Sequence, residues 1–357
     1  MGTRTEEIIE IDGSTGEGGG QVLRTSLTLS VLLSKPVRIY NIRAGRKDGG
    51  LKEQHLRAIR ASGELVAASI KGAELGSKEV VFFPRGMVDK SEYRVELRTA
   101  GSTGLVFQTL FLPLSLHRDC SLLIKGGTHV RWSPVADYIR DVFLPAVKPM
   151  GLEATLEVLK YGFYPEGGGI LRFHIKKAAL PLKPINVIER GALKGIYLRA
   201  KAGGLPEDVL TRGIRRAKER LEGEGFTDVG IDCSPVSSGG RGMYMFLLAE
   251  YENIRAGFTA IGQRGKRVET VADELIEEFT EYARSDGAVD IHLSDQLLLC
   301  MALAEGVSRI STPLVTAHAR TNATVIERFL PVRFGFSEST RSSVIEVEGM
   351  GYKGEST

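Results

Sequence analysis

Arginines, histidines and carboxylates recur in this sequence beside polar or glycine-rich turns, the places where a chain presents side chains to a ligand. The stretch "IDGSTGEGGGQVLRTSL" sets a run of glycines between an apolar strand and an amphipathic helix, and it offers Glu17, Gln21 and Arg24. Such a corner suits phosphate, because free amides at a helix start receive anions. A Walker loop would follow its last glycine with Lys and then Ser or Thr, whereas Gly20 is followed by Gln21, Val22, Leu23 and Arg24. Arg43, Arg46 and Lys47 come after the next strand, Gln108 opens a later helix, and His292, Asp295, Gln296 and His318 lie towards the C-terminus. Guanidinium forks hold phosphate oxygens bidentately, and a carboxylate such as Glu17 fits Mg²⁺, which keeps several waters and bridges phosphates. The set suits a polyphosphate substrate with a divalent metal.

Each of these residues also has a structural reading. Gly16 to Gly20 can be a tight turn whose backbone needs glycine. Arg24 can solvate the end of an apolar helix, and a lone histidine at a strand end, as His318 reads here, is more often a hydrogen-bonded structural residue. The stretch "RIYNIRAGRKDGGLKEQHLRAIR" is strongly basic, so part of it is a solvated helix face, and part is the best candidate for an RNA backbone contact. Trp132 and Pro134 in "THVRWSPVADY" can stack on a base or simply shape a helix entry. His117, His129 and His174 show no metal-ligand spacing, and "YPEGGG" reads as a turn between strands.

What must position these residues is a repeat. Three segments share a strand, a polar turn and an apolar helix that begins near a glutamine: "IIEIDGSTGEGGGQVLRTSLTLSVL", "YRVELRTAGSTGLVFQTLFLPLSL" and "AVDIHLSDQLLLCMALAEG". Each is followed by a second strand, a loop and a further amphipathic helix, and then by strand-forming sequence. The expected class is α+β, built from three units of two helices and about four strands, with loops that converge. The interval from Gln108 to Gln296 is more than twice that from Gln21 to Gln108, which locates an insertion. The expected division is a large domain over 1–183 and 286–357, and a small inserted α/β domain over 184–285.

Composition excludes several classes. With 357 residues, 42% apolar and 25% charged, the chain is long enough for large cores and ordinary for a globular protein. The excess of 47 basic over 44 acidic residues gives no general polyanion-binding field, so nucleic-acid contact must come from local clustering. Cys120, Cys233 and Cys300 are scattered, against a disulfide framework or zinc site. "GLVFQTLFLPLSL" is too short and too interrupted for a membrane span and reads as a buried helix. With no secretory pattern at the N-terminus, a cytoplasmic protein is expected.

The ordered set "DGSTGEGGGQVLR", "IRAGRKDGGLKEQHL", "AGSTGLVFQT", "GFYPEGGG", "HLSDQ" and "TAHARTNATVIERFLPVRF" resembles the RNA 3′-terminal phosphate cyclase family over nearly the whole chain. The resemblance implies three repeats like the C-terminal domain of a bacterial translation initiation factor, with a small inserted domain. It implies that His318 is the nucleophile that takes AMP from ATP, with Arg24 and Arg43 neutralising the triphosphate. Gln21, Gln108, His292, Leu293, Ser294, Asp295 and Gln296 match its ATP-binding positions, and Pro134 a residue beside the adenine. Glu17 matches a residue around the metal, Mg²⁺ or Mn²⁺, and Arg46, Lys47 and His55 fall among phosphate and RNA contacts. The implied partner is an RNA with a 3′-phosphate end. Tyr161 departs from the basic residue that members often carry before "GFYPEGGG". Three rivals are a non-catalytic relative in ribosomal RNA maturation, an enolpyruvyl transferase and a plain RNA-binding module.

Overall fold

The computed structural model describes residues 7–46 and 48–354. The first unit runs β1 (Ile9–Asp12), α1 (Gly20–Leu33), β2 (Val37–Tyr40), α2 (Glu53–Leu65), β3 (Ser69–Lys71) and β4 (Val80–Phe83). The second runs β5 (Glu92–Glu96), α3 (Thr103–His117), β6 (Cys120–Gly126), a short helix α4 (Ala136–Tyr138), a π-helical turn (Ile139–Phe143), α5 (Leu144–Val147), β7 (Ala154–Lys160) and β8 (Gly169–Ile175). After β9 (Asn186–Val187) come β10 (Leu193–Gly203), α6 (Glu207–Gly223), β11 (Val229–Pro235), β12 (Gly242–Tyr251), β13 (Arg255–Ile261) and α7 (Val268–Arg284). The chain closes with α8 (Ile291–Leu303), β14 (Glu305–Thr312), α9 (Ala317–Phe329), β15 (Phe334–Glu338) and β16 (Ser343–Met350).

The architecture is mixed α+β. Its sheets run β1-β2-β4-β3, β5-β6-β8-β7, β9-β14-β16-β15 and β11-β10-β12-β13, each with one parallel pair at an edge and antiparallel neighbours beyond it. Asn186 and Val187 lie in the segment assigned to the insert, yet they pair in parallel with Arg309 and Ile310 of β14. β9 is therefore an edge strand of the third sheet. A two-residue strand carries no periodicity from which its pairing could be read.

The helices α1, α3 and α8 are buried on almost every side, as apolar sequence all round a helix requires. Pro113 inside α3 cannot donate to Thr109 O, and Thr28 of α1 supplies the missing donor from its hydroxyl at 2.9 Å. In the 184–285 region, α6 and α7 bury one sheet face, with Met245, Leu247 and Phe258 in that core. The opposite face turns Tyr244, Phe246 and Leu248 into the core of the main body. The three cysteines are free, and among the described residues no helix is long and apolar enough to cross a membrane.

Candidate active site

The starts of three central helices meet in one cleft. Gln21 and Arg24 of α1, Gln108 of α3, and Asp295 and Gln296 of α8 line it, with Phe143 from the π-helical turn and Asn322 from α9. Thus the glutamines that mark the three helix starts in the sequence face a common space. Arg24 does not solvate a helix end: it is half-buried, donates to Gln21 Oε1 at 2.7 Å, and burial lowers its pKa to about 10, partly offset by Asp295. It remains a cation at neutral pH.

His318 stands on the first turn of α9 and not at a strand end, because Thr316 caps that helix by accepting from Ala319 N at 3.0 Å. Its Nδ1 is 2.8 Å from Asp295 Oδ2. A carboxylate oxygen accepts, so the neutral imidazole keeps its proton on Nδ1 and its lone pair on Nε2. This bond raises the His318 pKa above its ordinary value of 6.5; burial opposes the shift, and Asp295 adds Coulombic support. Asp295 is itself fixed: Asn322 Nδ2 donates to its Oδ1 at 3.0 Å and to its backbone carbonyl at 3.1 Å. Asn322 Oδ1 accepts from Thr25 at 2.7 Å, and Thr25 accepts from Gln21 Nε2 at 3.0 Å. One hydrogen-bonded chain therefore runs from His318 through Asp295, Asn322, Thr25 and Gln21 to Arg24. Thr25 and Asn322 were missed in the sequence, though each lies four residues beyond a flagged residue, on the same helix face.

The glycine corner closes one side of this arrangement. A Cβ on Gly16, whose φ is +59°, would lie 1.9 Å from Thr321 Oγ1, so the corner packs directly on α9. A Cβ on Gly20 would lie 2.7 Å from His55 Nε2 and 2.9 Å from an Arg24 nitrogen. Gly19 caps α1 without a side-chain acceptor, leaving first-turn amides for an anion. His55 is buried, and its Nδ1 accepts from Lys52 N at 3.1 Å, which puts its proton on Nε2 beside Gly20. Burial first, then Arg24, Arg43 and Lys52, depress its pKa to about 3, so it is a neutral donor at physiological pH.

Arg43 adopts a left-handed backbone, φ 56°, and one of its guanidinium nitrogens ties the loop by donating to Asp48 O and Gly50 O. Burial, then Arg46, lower its pKa. Arg46 reaches within 3.9 Å of Glu17 at the rim. Lys47 lies outside the described residues. Among the described residues no three His, Cys, Asp or Glu gather as a metal cage. Glu17 is a single, partly exposed carboxylate, and that fits a Mg²⁺ whose other ligands are water and phosphate.

The remaining expected residues sit elsewhere. Leu293 is fully buried in the core, and buried Ser294 bonds back to Ile291 O, so neither side chain lines the cleft. His292 is half-exposed and bonds Glu278 of α7 at 3.1 Å. Pro134 packs its carbonyl and ring against Gly104, one turn before Gln108. Gln296 lines the cleft, and its Oε1 is buried with no partner among the described residues, an acceptor left for a ligand donor.

A histidine with an oriented Nδ1, beside a half-buried arginine and a helix start that no side chain caps, can attack an electrophilic phosphorus and stabilise the anion that leaves. Known proteins match this chain over most of its length. A family model described as RNA 3′-terminal phosphate cyclase matches residues 15–336. A protein of Desulfurococcus amylolyticus named RNA 3′-terminal phosphate cyclase is 37% identical, covering 97% of this chain and 99% of its own. Proteins of the same name from Archaeoglobus fulgidus and Pseudomonas fluorescens are 41% and 42% identical, covering 90% and 92% of this chain and 96% and 94% of their own. A glycine corner without a Walker lysine, a carboxylate-held histidine and similarity over almost the full length make this chain a member of the RNA 3′-terminal phosphate cyclase family.

Proposed function

We propose that the protein converts an RNA 3′-phosphate end into a 2′,3′-cyclic phosphodiester, using ATP and a covalent His318–AMP intermediate. The observation that carries this reading is the Asp295–His318 pair at a cleft lined by Arg24, Gln21, Gln108 and Gln296. His318 Nε2 attacks the α-phosphorus of ATP, a P–N bond forms and pyrophosphate departs. Asp295 holds the Nδ1 proton and stabilises the positive imidazole that results. Arg24, His55 Nε2 and the α1 amides take up negative charge on the phosphates. The RNA 3′-phosphate then displaces the imidazole from phosphorus and carries AMP away as an RNA adenylate. Finally the adjacent ribose 2′-OH attacks the 3′-phosphorus, loses its proton and releases AMP; this step is intramolecular and requires mainly positioning.

A Mg²⁺ or Mn²⁺ at Glu17 would supply charge neutralisation across the phosphates. Gln296 Oε1, buried and unpartnered, suits the exocyclic amino group of adenine. The shared strand order supports three repeats in the main body, with an insertion between β9 and α8. The test is incubation with α-labelled ATP and Mg²⁺ followed by denaturing electrophoresis. Label on the native chain, absent from His318→Ala and discharged by RNA with a 3′-phosphate, is the expected outcome; equal labelling of both chains refutes the histidine adenylate.

A further inference from the structure

A second buried polar cluster lies behind the cleft, where α4 meets the inserted region. Asp137 is fully buried, and its carboxylate accepts from His129 Nε2 at 2.7 Å, Tyr244 Oη at 2.7 Å, Arg140 at 2.8 Å and Arg199. Tyr244 is on β12 and Arg199 on β10, so two strands of the insert grip one residue of the main body. Thr128, His129 and Asp137 form a hydroxyl–imidazole–carboxylate series, with Thr128 Oγ1 at 2.8 Å from His129 Nδ1. All three are buried, so no substrate reaches the series and it acts as a clamp.

The next residue, Tyr138, reaches another element. Its hydroxyl donates to Asp290 Oδ1 at 2.8 Å. Asp290 is the N-cap of α8, and the same oxygen accepts from His292 N at 3.0 Å and Leu293 N at 2.9 Å. Its other oxygen is buried with no partner among the described residues, so the three bonds to Oδ1 are what hold this carboxylate in place. On the second turn of α8, Asp295 meets His318. Phe143, a residue of the π-helical turn that follows Tyr138, lines the cleft from the other side. Two further contacts from the insert reach the same helix start: Glu278 bonds His292, and Tyr282 Oη donates to Ala288 O at 2.6 Å.

We propose that Tyr138 is a positioning residue for nucleotide transfer to His318: its bond to Asp290 fixes the first turn of α8, and so the Asp295 carboxylate, while the insert steadies Tyr138 by gripping Asp137. This rests on the histidine-adenylate reading above. A helix is stiff over the five residues from Asp290 to Asp295, so a displaced cap displaces the carboxylate. A shift of about 1 Å in such a group costs on the order of a hundredfold in rate. The insert then acts as a buttress for a catalytic pair to which it contributes no atom.

The test measures single-turnover labelling from α-labelled ATP over a range of ATP concentrations, with thermal melting of every chain. Native protein and His318→Ala serve as references; absence of label on the native chain overturns the adenylate reading and this proposal together. Tyr138→Phe keeps the buried ring and removes only the hydroxyl. It is expected to lower the maximal rate about tenfold or more, while the half-saturating ATP concentration stays within about twofold. Asp290→Ser still caps α8 but is too short to hold the phenol, and should show the same split. The double variant should be no slower than the slower single one, because both break one link. A native maximal rate in folded Tyr138→Phe overturns the proposal. So does a loss matching the unfolded fraction, or additive losses in the double variant.

Discussion

At the scale of the residue, the Asp295–His318 bond sets opposing demands. The bond orients the ring, yet it raises the pKa of His318, and in the proposed reaction only the neutral imidazole attacks. Labelling from ATP is therefore expected to increase with pH through a midpoint above the ordinary 6.5. Asp295→Asn should move that midpoint down and slow labelling by roughly a hundredfold at its plateau; an unmoved midpoint would show that Asp295 does not govern the ring. Because the folded pKa is the raised one, the pair stabilises the fold fully below the ordinary histidine value. That contribution fades as pH rises through the raised value. The individual residues were largely legible in the sequence, since Arg24, His318 and Asp295 are types that handle phosphate chemistry. Their connections were not: Thr25 and Asn322 are 297 residues apart, and neither residue type announces a partner at that distance.

At the scale of the element, the contact of the glycine corner with α9 joins two helix starts that hold opposite sides of the cleft. Gly16→Ala would force a side chain into Thr321 at a positive φ. It is expected to cost roughly 1–3 kcal/mol of stability, measured by denaturant unfolding, and to weaken ATP binding as the corner lifts from α9. A Gly16→Ala protein that unfolds and binds ATP like the native one would show that the corner moves without consequence. The helices that carry the site were readable from their apolar runs and the polar turns before them, α1, α3 and α8 among them. Two features were not. The start of α9 is set by the Thr316 cap, which moves His318 from a loop onto a helical turn. The strand β9 exists only through its pairing with β14, information that no local window contains.

At the scale of the whole molecule, the repeat pattern and the long interval before Gln296 pointed to an α+β body with an inserted segment, and the mixed sheets agree with that class. The pattern could not reveal which face of β12 joins which core, because Tyr244, Phe246 and Leu248 of one core alternate with Met245 and Leu247 of the other. The hydrogen bonds from Thr25 to Asn322 and from Glu17 to Thr321 span 297 and 304 residues. Contacts of such long sequence separation close late, after local helices and hairpins have formed. In refolding from denaturant, the far-ultraviolet signal should therefore return before the capacity to take label from ATP; recovery of both at one rate would contradict this order. The same geometry bears on synthesis. On the ribosome, the first helix waits for a partner made 297 residues later, so the site stays open throughout that stretch of synthesis. An unfinished copy released by premature termination before α9 would be unable to consume ATP.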